Sequence, residues 1–473
     1  MSRRRRLLVL AAILGVVALA ASYTALRTPP TGPPSMVLIL VDTLRADRVG
    51  PAASGESLTP NLDDLARGGL RFERAYAPSS WTLPSVTSML TGQMPSEHGV
   101  RSWVHAGVPA SSPYLPELLA DQGYVTTAVM GNANLGQAGF GRGFDLFVEA
   151  RTEPKLARSG IPLYPSAEDM TDLAIEVLDQ VQESRFFLYV HYMDPHAPYL
   201  LPRGADDPFA GSDYQGYVVT HLEQVLPLVG RRYTRVYPYF WSKVRTGVEA
   251  DRSRVRQLYD EKVRYTDRHL GRLLDHLDTL GLADSTLVVV TSDHGEGLFE
   301  HGIREHEEVP YEHQVRVPLI ARGPDLDIGA VVQMAVEQVD LTAALTSIAA
   351  GNDVEGADDL AGGNGALVEV LTGQVQSRKS GEVVSEVYVA DRDEHLQMAL
   401  SEGQKLIRSK DRSLMFDLGH DPAELDDLSD DRDSGHLGTL IDARIGPLPT
   451  GAARAEITDP ELLERLRALG YVD

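Results

Sequence analysis

Buried strands are predicted at several points where apolar residues follow one another almost without interruption. The clearest runs are MVLILV at residues 36–41, VTTAVM at 125–130, FFLYV at 186–190 and LVVV at 287–290. Runs that are apolar on both faces are typical of parallel sheets covered by helices on both sides. An aspartate follows three of them, as Asp42, Asp194 and Asp293. Because ligands in open α/β sheets gather beyond the carboxyl ends of strands, we expect these three acids to reach one crevice.

Helical patterns occupy much of the sequence between these strands. Residues 59–69, TPNLDDLARGG, combine a capping threonine, a proline in the first turn and a closing glycine. Residues 82–92, TLPSVTSMLTG, predict a helix that begins near residues 83–85. This start places Thr82 at a helix N-terminus, where the backbone dipoles favour an anion. A longer helix is predicted over residues 260–281.

The order of these elements predicts an α/β fold with a large, mostly parallel central sheet flanked by helices. Three short alternating segments near the end of the chain, VVSEVYVA, LQMALSE and QKLIRS, favour a small antiparallel sheet. We therefore expect a leader at 1–30, a main domain at 31–350 and a C-terminal subdomain at 351–473. The boundary between the last two is predicted in the segment rich in Gly, Ala, Asp and Asn at 351–365.

Composition narrows the classes of partner. The chain has 473 residues and a formal net charge of −24, which disfavours any broad surface for a phosphate backbone. We therefore expect no nucleic acid partner. The chain contains no cysteine, so it has neither disulfides nor thiolate metal ligands. A metal site in this protein would have to be built from carboxylates, imidazoles and hydroxyls.

The first residues carry the pattern of an export signal. Arg3 to Arg6 are four consecutive positive charges, and an apolar stretch runs from Leu7 to about Ala21. Extended by residues 23–25, the same stretch could stay as a membrane anchor with its arginines in the cytoplasm. We expect an exported protein, periplasmic or held at the membrane by this segment. A buried soluble helix is the alternative reading.

The segment TSDHGE supplies the chemistry that fits such a site. Asp293 and His294 stand in tandem after a predicted strand, and Gly295 permits a tight turn. Together with Asp42 and the Thr82 oxygen they make a set of four ligands typical of zinc. Coordination would lower the pKa of the threonine hydroxyl and make an alkoxide available as a nucleophile.

The motifs around these residues resemble those of the sulfatases, in the alkaline phosphatase superfamily. The run T-L-P-S-V-T-S-M-L-T-G is similar to the sulfatase nucleophile signature C-x-P-S-R-x-x-x-L-T-G. VDTLRAD, LTGQMPSEHGV, DPHAPY, TSDHGEGLFEHG and RVPLIARGP occur in the order seen in sulfatase-like proteins. The resemblance covers about residues 36 to 473 and implies the same fold and the same location of the site.

Four departures from the family pattern fall in the site itself. Thr82 stands in place of the cysteine that becomes formylglycine, and its branched β-carbon cannot yield that aldehyde. Val86 replaces an arginine, Thr43 replaces a second metal-binding aspartate, and His306 replaces a lysine. Fewer hard carboxylates favour zinc, as one or two ions, over calcium, with manganese as a further alternative. The departures shift the expected chemistry toward phosphoryl groups.

The resemblance also implies roles for residues beyond the first set. His196 matches the histidine of the segment P-H-x-P-Y, which contacts the substrate ester or a metal. We expect Asp194, His196 and His306 to hold a second metal or to clasp the phosphoryl oxygens directly. Asn132 matches a place where some diesterases keep an asparagine on the phosphate, and a turn-capping asparagine is the alternative reading.

The sequence therefore predicts a metal-dependent hydrolase that uses Thr82 as nucleophile, with His196 and His306 as further catalytic residues. The expected substrate is a small-molecule, lipid or glycan phosphate ester, cleaved by water or passed to a hydroxyl acceptor. A sulfuric ester hydrolase that acts without formylglycine is the alternative. An inactive sulfatase-like binding or scaffold protein is the alternative from another class.

Overall fold

The computed structural model describes residues 32–50, 56–101, 107–150, 165–202, 208–209, 212–230, 235–306, 309–324, 326–351, 382–389, 394–430 and 434–446. The predicted leader at 1–30, most of the predicted boundary loop at 351–365 and the end of the chain after residue 446 lie outside the described residues. No helix within the described part of the chain is long and apolar enough to cross a membrane.

The strands and helices alternate along the first two thirds of the chain. The strands are β1 (Ser35–Val41), β2 (Leu70–Tyr76), β3 (Val125–Met130), β4 (Leu146–Glu149), β5 (Phe186–Tyr192), β6 (Thr286–Thr291), β7 (Gly297–Leu298), β8 (Arg304–Glu305), β9 (Arg316–Arg322), β10 (Ala330–Glu337), β11 (Val383–Val389), β12 (Glu394–Ser401), β13 (Gln404–Arg408) and β14 (Ser413–Asp417). The α-helices are α1 (Pro60–Arg67), α2 (Thr82–Thr91), α3 (Pro95–His98), α4 (Leu115–Asp121), α5 (Ala133–Leu135), α6 (Ala167–Val181), α7 (Leu222–Val225), α8 (Val236–Ser242), α9 (Glu249–Thr279), α10 (Glu312–Val315), α11 (Leu341–Ala349) and α12 (Gly435–Arg444).

The predicted fold class is confirmed. An 8-stranded sheet has the strand order β10-β2-β9-β6-β1-β5-β3-β4, and only β9 pairs antiparallel with its neighbours. A separate 4-stranded sheet, β11-β12-β13-β14, is antiparallel throughout. The second sheet packs beside the loop before α2, because the Glu386 backbone N–H donates to the Pro78 carbonyl at 2.8 Å.

Strand β1 shows why an uninterrupted apolar run forms a central strand. Val37, Ile39 and Val41 belong to the core on one face of the sheet. The residues between them, Met36, Leu38 and Leu40, belong to the core on the other face. Alternate side chains therefore enter two separate cores, so every position has to be apolar.

Two helix boundaries differ from the prediction. Helix α2 begins at Thr82 itself, one residue before the predicted start, so the threonine lies in its first turn. Helix α9 covers residues 249–279, whereas the sequence predicted 260–281. Its first turns bury Asp251 and Arg254 together with apolar residues. The charged residues there interrupt the apolar spacing that marks a helix, and this is why the start was missed.

Candidate metal centre and active site

The carboxyl ends of β1 and β6 bring two aspartates together. The strands are parallel neighbours, with Leu40 paired to Thr291. Asp42 follows β1 directly, and Asp293 follows β6 after Ser292. Thr43 has a left-handed backbone, with φ of 60°. This conformation lets its N–H donate to Asp293 Oδ1 at 3.1 Å, while its hydroxyl donates to the Asp42 carbonyl at 2.7 Å. Thr43 thus orients Asp293 through its backbone N–H, and its hydroxyl proton is used on the Asp42 carbonyl.

Asp42, Asp293 and His294 form a group whose donor atoms all lie within 4.8 Å of one another. All three residues are fully buried. Among the described residues this is the only group of at least three acids and histidines that meets this distance. Asp42 Oδ1 and Asp293 Oδ2 have no hydrogen-bond partner in that part of the chain. Two buried carboxylate oxygens without partners are costly unless a cation binds them, so this donor set fits a divalent metal.

The two carboxylates titrate differently without a metal. Burial and the neighbouring Asp293 charge raise the pKa of Asp42 well above its usual value. Burial also opposes ionisation of Asp293, but His294, His191 and the Thr43 N–H outweigh it and lower the pKa of Asp293. Two like charges in one dry site favour a single ionised carboxylate. A bound cation would let both carry their charge.

The Thr82 hydroxyl faces this group. Thr82 is fully buried, and its Oγ1 lies 3.1 Å from His294 Nε2. His294 Nδ1 lies 2.8 Å from the Gly295 carbonyl, so Nδ1 carries the proton and donates it there. The lone pair of His294 is then on Nε2, toward Thr82 and the carboxylates. Ser85, in the same turn of α2, donates to the Asp293 carbonyl at 2.6 Å and ties the helix to the metal loop.

Two further predicted histidines lie next to His294. The ring of His306 is 4.4 Å from that of His294 and 5.1 Å from that of His196, centre to centre. Burial lowers the pKa of His306 to about 4, and burial with the charge of His306 lowers that of His196 to about 3. His196 Nδ1 lies 2.7 Å from the Ala197 carbonyl, and His306 Nδ1 lies 3.1 Å from Glu296 Oε1. His196 and His306 are therefore neutral near pH 7, and the Nδ1 of each is directed at a protein oxygen.

The carboxylate of Asp194 is bound by other parts of the protein. It forms a buried salt bridge with Lys262 of α9 and accepts the Ala167 N–H at the start of α6 at 2.8 Å. Both oxygens are thus used inside the protein. The expectation that three strand-end acids meet in one crevice holds for Asp42 and Asp293 only. The geometry gives no support to Asp194 as a ligand of a second metal.

Asn132 caps the short helix α5, because its side-chain oxygen accepts the Asn134 N–H at 3.2 Å. Its amide group also favours the ionised form of Asp42, so the residue lies at the edge of the metal group. Asn132 therefore both caps α5 and lies near the candidate metal site. A contact between Asn132 and substrate stays a prediction.

His191 is the main site residue that the sequence analysis missed. It is fully buried in β5, and its Nε2 lies 3.3 Å from Asp42 Oδ2. The Tyr189 hydroxyl, 3.0 Å from His191 Nδ1, donates to that nitrogen and leaves Nε2–H directed at Asp42. A histidine inside an otherwise apolar strand was the available signal, because a buried polar group needs a partner. Glu296, the last residue of TSDHGE, was also given no role.

Arg45 holds the loop that carries the metal group. Its side chain is 5% exposed, and Nη1 donates to the Glu296 carbonyl at 2.9 Å and to Glu300 Oε1 at 2.8 Å. Nε and Nη2 bind the carboxylate of Asp47. A bidentate arginine of this kind fixes the relative positions of the segments after β1 and after β6.

Comparison with known proteins places this site in a sequence family. A family model described as Sulfatase matches residues 34–351. Human iduronate 2-sulfatase is 27% identical to this chain over 358 residues, which cover 63% of this chain and 61% of that protein. The chain thus spans less than two thirds of the length of this curated relative.

Solved structures share the fold. The phosphonate monoester hydrolase of Silicibacter pomeroyi superposes with a TM-score of 0.67 at 20% identity, over 86% of this chain and 93% of that chain. A protein solved in complex with its substrate D-glucosamine-2-N,6-O-disulfate superposes with a TM-score of 0.66 at 21% identity. That match covers 87% of this chain and 97% of the other.

Proposed function

We propose, from the premise that this chain belongs to the sulfatase family of hydrolases, that it cleaves phosphate esters with a divalent metal and with Thr82 as its nucleophile. The observation that carries the proposal is the position of the Thr82 hydroxyl, 3.1 Å from His294 Nε2. It lies beside the buried group of Asp42, Asp293 and His294. No other arrangement in the described residues combines a hydroxyl with such a donor set.

Asp42, Asp293 and His294 would hold the metal, which supplies a positive charge that lowers the pKa of the neighbouring hydroxyl and stabilises charge on the phosphoryl oxygens. Zinc fits these ligands best, since they mix carboxylate oxygens with an imidazole nitrogen. His191 would hold Asp42 in place through the contact of its Nε2 with Asp42 Oδ2. The Thr43 N–H does the same for Asp293.

The proposed reaction has two steps. In the first, a bond forms between Thr82 Oγ1 and phosphorus while the bond from phosphorus to the leaving oxygen breaks. The hydroxyl proton of Thr82 ends on the leaving alcohol. In the second step, water attacks phosphorus, the bond to Oγ1 breaks and the threonine regains its proton. If an acceptor alcohol replaces water, the same site acts as a transferase.

His196 and His306 would face the substrate. Their neutral imidazoles lie beside His294, where they can contact phosphoryl oxygens or carry a proton to the leaving oxygen. A second metal ligated by Asp194, His196 and His306 is less well supported, because Asp194 is engaged by Lys262.

Thr82 itself disfavours the sulfatase reaction that proceeds through formylglycine. Its β-carbon carries a methyl group and cannot become the aldehyde of formylglycine. An aldehyde hydrate has a second hydroxyl that can expel the bound ester group, whereas a threonine ester must be released by attack of water on its phosphorus or sulfur. The phosphonate monoester hydrolase among the structural neighbours has the same fold, which accommodates phosphorus chemistry there.

Sulfate ester hydrolysis is the second candidate, and the observation that favours it is the likeness to iduronate 2-sulfatase. Both candidates use the same residues, so only substrate preference separates them. Small-molecule, lipid and glycan esters of each acid all belong in the comparison.

The test combines metal analysis with a panel of aryl phosphate monoesters, diesters and sulfates. We expect stoichiometric metal and faster turnover of a phosphate ester. Thr82→Ala should lower turnover about a thousandfold or more with metal retained, and Thr82→Ser should keep part of the activity. Thr87→Ala is the matched control, because Thr87 is a buried threonine of the same helix whose hydroxyl donates to the Leu83 carbonyl at 2.7 Å.

Three results would change the proposal. Full activity of Thr82→Ala with metal bound would exclude Thr82 as nucleophile. Preference for aryl sulfate would replace the first candidate with the second. A protein without bound metal and without turnover would favour the inactive binding or scaffold protein.

A further inference from the structure

Helix α8 lies next to the segment that carries His306. Two of its side chains donate to the carboxylate of Glu305: the Tyr237 hydroxyl binds Oε2, and Trp241 Nε1 binds Oε1 at 2.6 Å. Glu305 directly precedes His306 in the chain. Each oxygen of one carboxylate is therefore held by a different residue of α8, one helical turn apart.

Glu305 has an unusual backbone conformation. Its φ is 65°, in the left-handed region that residues other than glycine and asparagine rarely adopt. Such a residue keeps this conformation only when its surroundings hold it. The β7–β8 pairing of Gly297 with Glu305 holds the backbone of Glu305 in place. The two donors of α8 hold the same residue through hydrogen bonds to its carboxylate.

The donors themselves are fixed by packing. The Trp241 ring lies 5.2 Å from Phe240, 6.2 Å from Tyr199 and 6.4 Å from Phe299, all edge to face. Such ring pairs have a preferred geometry and restrict the rotation of Trp241. Trp241 is buried, so a Trp241→Phe change keeps most of this packing and removes the indole N–H.

We propose that α8 is a positioning element for the active site: Tyr237 and Trp241 hold Glu305, and Glu305 sets the direction in which His306 enters the site. The inference rests on the proposed function, since it assumes that His306 acts on the substrate. His306 Nδ1 is bound on its other side by Glu296 Oε1 at 3.1 Å. The imidazole is thus fixed by Glu296 at its ring and by α8 through the preceding residue.

The experiment is a double-mutant cycle in the full-length, metal-loaded protein. The double change Tyr237→Phe with Trp241→Phe removes both donors and keeps both rings. We expect kcat to fall by about tenfold to a hundredfold, because small displacements of a reacting group have effects of that size. The metal content should not change, since the hydrogen bonds removed go to Glu305 and not to a proposed ligand of the first metal. Tyr239→Phe is the matched control, because it removes a hydroxyl of the same helix that does not bind Glu305.

The cycle is completed in the His306→Ala background. If α8 acts through His306, the double change should have little further effect on kcat there. A merely structural role would lower kcat by the same factor in both backgrounds, and that result would overturn the inference. Full activity of His306→Ala would overturn it as well. Neither outcome bears on Thr82, whose own substitution tests the proposed function separately.

A second measurement does not depend on turnover. In protein labelled with ¹⁵N-histidine, the ring signals of His306 can be assigned by their loss in His306→Ala. We expect these signals to shift in the Tyr237→Phe, Trp241→Phe protein and to stay in place in Tyr239→Phe. Unchanged His306 signals in the double variant would contradict the proposed link even if no substrate had been found.

Discussion

Asp42→Asn should stabilise the protein without metal and destabilise it relative to wild type with metal. Asparagine has the shape of aspartate and can still accept a hydrogen bond from His191. It removes one of two buried carboxylates, and Asp42 is the one whose pKa burial and Asp293 raise well above the usual 3.8. The substitution therefore removes a cost in the metal-free protein and a ligand in the metal-bound protein.

The size of the first effect has a ceiling. Holding an acid protonated at about pH 7 costs about 1.4 kcal/mol for each pH unit above its ordinary pKa, here 3.8. The ceiling is thus roughly 4 kcal/mol, and a gain of about 1–3 kcal/mol is the realistic expectation for one poorly paired buried group. In the presence of metal at a thousand times its Kd, wild type gains about 4.1 kcal/mol that the variant lacks, which exceeds the gain expected for the variant. The order of stability should therefore invert.

The assay is denaturant unfolding of both proteins, once in a strong chelator and once with zinc, manganese or calcium in excess. Asp213→Asn is the control, because Asp213 is exposed and the same chemical change there should have no effect in either condition. Equal stabilisation of wild type and Asp42→Asn by every metal would refute the reasoning. So would a metal-free variant less stable than wild type by several kcal/mol.

Three other substitutions test other parts of the structure. His191→Phe should weaken metal binding about 10–100-fold by calorimetry while His191→Gln restores part of it, and an unchanged Kd would exclude its role behind Asp42. Lys405→Met should lower the free energy of unfolding by about 3–5 kcal/mol, because Lys405 is fully buried with Glu424 Oε1 at 2.7 Å; adding Glu424→Gln should recover part of the loss. Asp340→Asn should become more stable relative to wild type as pH rises from 4 to 8. Burial and a neighbouring carboxylate raise the pKa of Asp340 to about 8, so wild type loses stability over this interval and the variant does not. A stability difference that does not change with pH, measured by thermal unfolding, would contradict this.

Much of the fold was predictable because the signals are local. The apolar runs that became β1, β3, β5 and β6 are continuous in the sequence, and the start of α2, predicted near residues 83–85, is at residue 82. The start of α9 was missed by 11 residues, since predicted and observed starts are 260 and 249. Its first turns present charged residues whose burial depends on neighbouring segments.

The candidate site was predictable in part. Asp42, Thr82, Asp293 and His294 meet, with His196 and His306 beside them, as their positions at strand ends and in motifs indicated. Their chemical roles stay predictions. Asp194 also follows a strand, yet it pairs with Lys262, 68 residues away in the sequence. The local sequence around a lysine on a helix does not indicate which acid it will pair with in the folded protein.

The sequence by itself determined which segments become strands and helices and which reactive side chains stand at their ends, because backbone periodicity and chain order act over a few residues. Only the tertiary structure decided which of those side chains meet. The contact of His191 with Asp42 spans 149 residues, and that of Tyr237 and Trp241 with Glu305 spans more than 60. Such contacts depend on how strands pair and how helices pack in three dimensions. Local sequence patterns therefore do not predict these long-range contacts.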